Sequence, residues 1–202
     1  MTICIPTNYK EARARQRAII MSTGDDLKEQ GVMLFNQHDY EAAARTFQKA
    51  KDAYLEEDRM DMVAEMKVNI GLVHRSLGEN QQALELMQEA LRAFEAQEDQ
   101  IRIAQVLGNL GGVYQALNDK EQAEMSYRQA ANIFKELGEE VMYSDTLMAL
   151  GAMQVRDGKF FTGAATYQVA LENRDNLSGT QKIIKSLSNF INRLSGGGTA
   201  TT

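Results

Sequence analysis

A forty-residue register constrains this chain more than any other feature. Gly31, Gly71, Gly111 and Gly151 stand forty residues apart, and nineteen residues after each comes Ala50, Ala90, Ala130 or Ala170. Three residues before each alanine lies a large apolar residue (Phe47, Met87, Tyr127, Tyr167), and four earlier again a small one (Ala43, Ala83, Ala123, Gly163). Recurrence at a fixed period reports a repeat architecture. One copy holds the stretch NLGGVY, Asn109 to Tyr114, inside a run from Ile101 to Leu117 that otherwise reads as helix. Two adjacent glycines there each cost about 1 kcal/mol relative to alanine. Close approach of another backbone is the expected compensation.

Each copy divides into two helical halves, because apolar or small residues recur at three- and four-residue steps on either side of a turn signal. The turns read Asn36-Gln37-His38-Asp39, Leu77-Gly78-Glu79-Asn80, Leu117-Asn118-Asp119-Lys120 and Arg156-Asp157-Gly158-Lys159, rich in residues that stop one helix and cap the next. A second set, Glu57-Asp58, Glu98-Asp99 and Leu137-Gly138-Glu139, separates one copy from the next. The unit is helix, turn, antiparallel helix, turn, and four copies span residues 24–177.

These columns resemble the tetratricopeptide repeat family, which places a small glycine in the first helix, then alanine, aromatic and alanine in the second. The resemblance implies an all-α fold, a right-handed α-solenoid of about four helix hairpins with a C-terminal capping helix. Two departures stand out: the repeat is forty residues rather than thirty-four, and the family's closing proline is absent, Pro6 being the one proline. Longer helices account for both. Helical repeats of the HEAT and armadillo kind also reach forty residues but lack this column set. The Asn-Leu-Gly-x-x-Tyr core is similar to the subgroup found in kinesin light chains and spindle-orientation scaffolds. Within the family Gly111 would let the two helices of its hairpin pack closely, with Ala123 as the expected partner. Gly112, about 100° further round the helix, would face the groove.

Composition fits a cytoplasmic helical scaffold. No apolar run approaches a membrane span, and Met1 to Pro6 lacks the basic-then-apolar order of a signal peptide. A single cysteine, Cys4, leaves no basis for a disulfide framework or zinc cluster. The net charge of −6 argues against nucleic acid as the main ligand. Lys10, Arg13, Arg15 and Arg17 against Glu11 give the first twenty-four residues a charge of +3, so the remainder carries −9. That basic arm, residues 1–23, has a capping-box sequence at Asn8 to Glu11 and an expected helix from about Tyr9 to Met21. It reads either as a docking or targeting arm or as a cover for the open end of the first repeat. Residues 178–194 read as a capping helix, with Ile183, Ile184, Leu187, Phe190, Ile191 and Leu194 at helical spacing. Residues 195–202, SGGGTATT, are expected to be disordered. Their glycines do not form a phosphate loop, with no strand before them and no lysine-bearing helix after.

No catalytic residue, metal ligand or cofactor site is expected. His38 lies in a turn and His74 in a helix, and neither has a ligand-spaced partner. His74 shares the column of Tyr114, which favours packing. Asn176-Leu177-Ser178 is formally a glycosylation acceptor without a secretory route. The eleven methionines are expected to fill gaps in helical core columns.

Stacked hairpins create a concave groove lined mainly by the first helix of each repeat. The resemblance places groove positions six, three and two residues before the repeat glycine and one, four and five after it. In the first copy these are Asp25, Lys28, Glu29, Val32, Phe35 and Asn36, and in the second Glu65, Val68, Asn69, Leu72, Arg75 and Ser76. The third copy supplies Gln105, Gly108, Asn109, Gly112, Gln115 and Ala116, and the fourth Asp145, Met148, Ala149, Ala152, Val155 and Arg156. Asn69 and Asn109 fall in one column. Their amides could bond the backbone of an extended peptide without demanding a particular side chain, or could simply be helix-surface amides. Gly108, Gly112 and Ala116, with Ala149 and Ala152, leave a bare floor that suits either an entering partner or close packing of neighbouring repeats. The family's clamp for carboxylate-ended chaperone tails is matched here only at Lys28 and Asn69. The reading that follows is a non-catalytic adaptor, a monomer that binds a peptide segment of a protein partner. A self-associating structural protein, which would be a homodimer, is the alternative, and a chaperone-tail-binding co-chaperone stands behind both.

Overall fold

The computed structural model describes residues 23–172 together with Ser186, Asn189 and Phe190. The expected arm helix at 9–21, the tail at 195–202, and the capping helix at 178–194 apart from those three helical, exposed positions lie outside the described residues. All regular structure among the described residues is helical: α1 (Gly24–Asn36), α2 (Tyr40–Glu56), α3 (Met60–Ser76), α4 (Asn80–Ala96), α5 (Gln100–Ala116), α6 (Lys120–Glu136), α7 (Glu140–Arg156) and α8 (Phe160–Glu172). Helices α2 to α7 each run seventeen residues. Length within the helices, not in the loops, accounts for the forty-residue repeat.

Every junction is built the same way. The middle residue of each three-residue linker is left-handed: His38, Asp58, Gly78, Glu98, Asn118, Gly138 and Gly158, with φ from 56° to 82°. At each, the following amide closes back on a carbonyl five residues earlier, as in Asp39 N to Leu34 O at 3.0 Å and Glu139 N to Phe134 O at 2.8 Å. The left-handed residue itself donates three residues back, as from Asn118 N to Gln115 O at 3.1 Å. This is the Schellman arrangement, which satisfies carbonyls that a helix end would otherwise leave bare. At the next position Asp39, Asp99 and Asp119 cap the following helix by accepting from the amides of Ala42, Arg102 and Gln122, whereas Arg59 and Glu139 make no side-chain cap.

The helices form two compact units, Met1–Glu79 and Asn80–Thr202. In the first, α2 buries Ala43, Phe47, Ala50 and Tyr54 at steps of four, three and four, one stripe of a helix. It pairs with α1 on one side and α3 on the other. The Tyr54 hydroxyl donates to Asp25 at 2.7 Å, and Arg59 reaches the same carboxylate at 3.0 Å while its guanidinium lies 4.7 Å from the Tyr54 ring centre. The Tyr54 bond, then Arg59, holds Asp25 below the usual carboxylate range, and burial and Asp25 push the tyrosine up.

In the second unit α4 packs on α5, α5 pairs with α6, α6 packs on α7, and α7 pairs with α8. Ala104, Ala130 and Phe134 form one buried cluster that Ile101, Leu107, Met142 and Tyr143 complete. Ala123, Tyr127, Leu150 and Met153 form another. Ser144 fastens α8 by donating to the carbonyl of Ala170 at 2.5 Å. Gln154, fully buried, accepts from Thr166 at 2.7 Å and donates toward Glu124 at 3.5 Å.

Two expectations need correction. Gly111 is a packing glycine, but its partner is not Ala123. A methyl group added at Gly111 would lie 2.8 Å from the Tyr127 ring, just as one at Gly31 would lie 2.5 Å from Phe47. The glycine column seats the aromatic column, and the small residue one turn earlier is buried beside it. The methionines, too, divide: Met62, Met66, Met87 and Met153 are buried, whereas Met33, Met60 and Met125 are exposed. His74 is tied to the turn, its Nδ1 2.5 Å from a Glu79 carboxylate oxygen.

Candidate functional site

The proposed groove residues lie on the first helices of the hairpins, α1, α3, α5 and α7, because the glycine column fixes which way each helix turns. With Gly31, Gly111 and Gly151 pointed at α2, α6 and α8, residues about 100° further round point away from their own hairpin partner.

In the first unit Lys28 on α1 and Glu65 on α3, both named from the register, meet at 3.4 Å with about a third of each side chain exposed. The ion pair sets α1 and α3 side by side at these positions. It also commits the one lysine that matches the chaperone-tail clamp. Asn69 and Leu72 are half-buried and Arg75 is exposed. Val68 departs from expectation: it is buried and belongs to the core of α3, not to the groove.

In the second unit Gln105 on α5 reaches the Met142 sulfur of α7 at 3.9 Å, so these two helices also lie side by side. Between them the floor is partly as expected. A methyl group at Gly108 would have no neighbour within 4 Å, so this glycine packs against nothing and opens on space. Asn109, Gly112 and Gln115 are half-buried, as is Ala152, while Arg156 is exposed. Ala149 instead leans on the cluster of Ala123, Tyr127, Leu150 and Met153. The bare floor is therefore centred on α5.

Three features escaped the register. The Asp25–Tyr54–Arg59 lattice needed the hairpin geometry to be seen, although Tyr54, where the second and third copies have Phe94 and Phe134, was a signal. The second is Glu124, which gathers Arg128 at 2.7 Å and Lys159 at 3.1 Å. The Arg128 hydrogen bonds, then Lys159, hold its carboxyl below the usual range. The third is the outward face of α8, where Phe161, Ala165 and Val169 are exposed. Among the described residues no group of three or more histidines, cysteines and carboxylates could hold a metal ion, and no helix is long and apolar enough to cross a membrane.

Residues 62–136 match the family model described as tetratricopeptide repeat. The crystal structure of BtubC (BKLC) from P. vanneervenii superposes with a TM-score of 0.61 at 20% identity, covering 96% of this chain and 74% of that one. At that identity the likeness is one of fold. No curated protein matches the chain as a relative. The forty-residue columns, the hairpin helices and these two likenesses agree: the chain carries a tetratricopeptide repeat region.

Proposed function

We propose that the chain is a non-catalytic, cytoplasmic adaptor that holds a peptide segment of a protein partner against the first helices of its hairpins. The observation that carries the reading is the open floor at Gly108, flanked by the half-buried amide of Asn109 and by Gln105 on the same helix. A helix-interior glycine that touches nothing gains no packing to offset its propensity cost, so a ligand drawn close to the backbone is the compensation. Asn109 and Gln105 offer both donor and acceptor at the edge of that floor, which suits peptide backbone better than one particular side chain. In the first unit the same columns supply Asn69, Leu72 and Arg75. A terminal dicarboxylate ligand is disfavoured, because Lys28 is already paired and Gln105 and Asn109 stand where basic residues would be needed.

Affinity capture with mass spectrometry tests the reading, comparing the intact protein with Asn69→Ala/Asn109→Ala. Loss of one set of captured proteins at unchanged melting temperature is expected, and identical capture would overturn the site. A second variant, Gly112→Arg, should remove the same proteins while the melting temperature holds or rises slightly, since arginine is the better helix former. An earlier melt would mean that Gly112 serves packing instead.

A further inference from the structure

The first helices of the hairpins use three faces. One turns the repeat glycine to the hairpin partner and one carries the groove columns. The third, five and one residues before the glycine and two after it, packs back on the preceding second helix. There α3 buries Met66, Ile70 and Val73, and α5 and α7 bury their counterparts, of which Leu150 and Met153 join Ala123 and Tyr127 of α6. In α1 the same columns are Asp26, Gln30 and Met33, and all three are exposed. Asp26 is committed to the helix start: its carboxylate accepts from the Thr23 amide at 3.0 Å and its own amide donates to the Thr23 hydroxyl at 3.2 Å, a closed capping box. The chain before α1 lacks the other half of such a contact. Forty residues before Ala43, Phe47, Ala50 and Tyr54, the buried stripe of α2, stand Ile3, Thr7, Lys10 and Ala14. Lys10 takes the column that is a buried alanine in all four copies, so the register of the second helix stops short of this segment.

We infer that α1 closes this end of the repeat stack, and that residues 1–22 are a docking arm for an acidic segment of a protein partner, not the cover of the first repeat. A cover lays apolar surface on an apolar face. The face here is polar and in water, and the segment brings four cations against one anion, Lys10, Arg13, Arg15 and Arg17 against Glu11. Three of the four are arginines, whose planar forks match carboxylates two bonds at a time. The charge of −9 on the remainder decides the kind of partner. A lipid sheet or a nucleic-acid duplex is a broad anionic surface that meets the body as well as the arm and is repelled by it. A short acidic segment can be held by the arm alone, beyond the roughly 8 Å over which the body's charge is felt at physiological salt. This contact does not rest on the groove, so capture through Asn69 and Asn109 and docking through the arm fail independently.

Two measurements test it. Thermal melts of the full chain and of a chain lacking residues 1–22 should agree within about 2 °C, less than the loss of a packed cover would cost. A larger drop, or a truncated chain that does not fold, would restore the cover and overturn the inference. The full chain, titrated with a labelled polyglutamate peptide, should bind it at low salt and release it as salt rises. Arg13→Glu/Arg17→Glu in the full chain should weaken that binding about tenfold or more at an unchanged melting temperature. A full chain indifferent to the peptide would mean that the arm's charge is already answered within the fold, and binding untouched by the double variant would place the contact elsewhere; either result overturns the arm. Binding to phosphatidylserine vesicles in preference to the peptide at the same salt would overturn the protein partner in favour of a membrane.

Discussion

The third and fourth hairpins carry the same sequence columns and solve the same packing problem differently. Between α5 and α6 the large residue does the work: the Tyr127 ring sits in the gap that Gly111 leaves and is almost fully buried. Between α7 and α8 the backbones themselves approach. The carbonyl of Gly163 lies where a methyl at Gly151 would be 3.2 Å away, the Tyr167 ring is at 3.3 Å, and Tyr167 is only half-buried. The difference follows from one residue, since Ala123 holds α6 a methyl group further from α5 than Gly163 requires of α8. A glycine column in a repeat is thus a vacancy that either a ring or a main chain can fill.

The largest effect should come from Gly163→Ala. The added methyl would stand 2.9 Å from the Gly151 carbonyl and 3.1 Å from the Val155 amide, both backbone atoms that cannot step aside. Even after the gain in helix propensity we expect a loss of about 2 kcal/mol in urea unfolding. Wild-type stability would mean that the fourth hairpin is no closer than the third. Gly111→Ala should cost about 1–2 kcal/mol, because the buried Tyr127 ring must be displaced. Gly151→Ala should fall within about 0.5 kcal/mol of the parent, its contacts at 3.2 to 3.3 Å balanced by propensity. Equal losses at Gly111 and Gly151 would erase the distinction between ring and backbone packing.

Smaller effects separate the two hairpins through their junctions. Glu98, which enters the third hairpin, is left-handed without being glycine, whereas Gly138 enters the fourth. Glu98→Gly should raise stability by about 0.5–1 kcal/mol in a thermal melt, the relief of left-handed strain outweighing the added freedom of the unfolded chain. Glu124, on α6 but tied to Lys159 at the start of α8, gives a pH test. Its folded carboxyl titrates below the ordinary 4.5. Its contribution is therefore present above that value and lost as pH falls through the lower, folded one. Arg128→Ala should remove a few tenths of a kcal/mol at neutral pH and nothing once the carboxyl is protonated in both states. A loss of equal size at both pH values would assign the effect to packing.

The periodicity made the architecture legible because four columns agree in phase, and each marks a side chain that must be small or must be buried. The turn residues were readable for the same reason, since Gly78, Gly138 and Gly158 announce a left-handed backbone. His38, Asp58, Glu98 and Asn118 do not, and only their φ angles reveal that all seven junctions are alike. Phase also located Lys28 and Glu65 on one face. It failed at Val68 and Ala149, where a column position says which way a residue points but not how far the neighbouring helix leans over it. The partner of Gly111 was misjudged because Ala123 and Tyr127 lie on one face of α6, and reach, not direction, decides which one fills the gap. Met125 and the α8 stripe are columns too, but on the outward face, where a single helix can differ from its counterparts without disturbing the register.

The identical junctions carry a consequence for how such a chain can grow. The joints recur every twenty residues, each sees only a helix end and the next helix start, and nothing in its backbone hydrogen bonds distinguishes the first helix of a hairpin from the second. The backbone would accept an odd number of helices as readily as an even number. Parity is kept by side chains alone: glycine at one helix, a large apolar residue with small neighbours at the next. Loss of a single twenty-residue segment would leave every joint intact and set two helices of the same type side by side, a ring with no vacancy to enter or a vacancy with no ring. Changes in length that preserve the fold must therefore come in steps of forty, even though the chain is jointed every twenty.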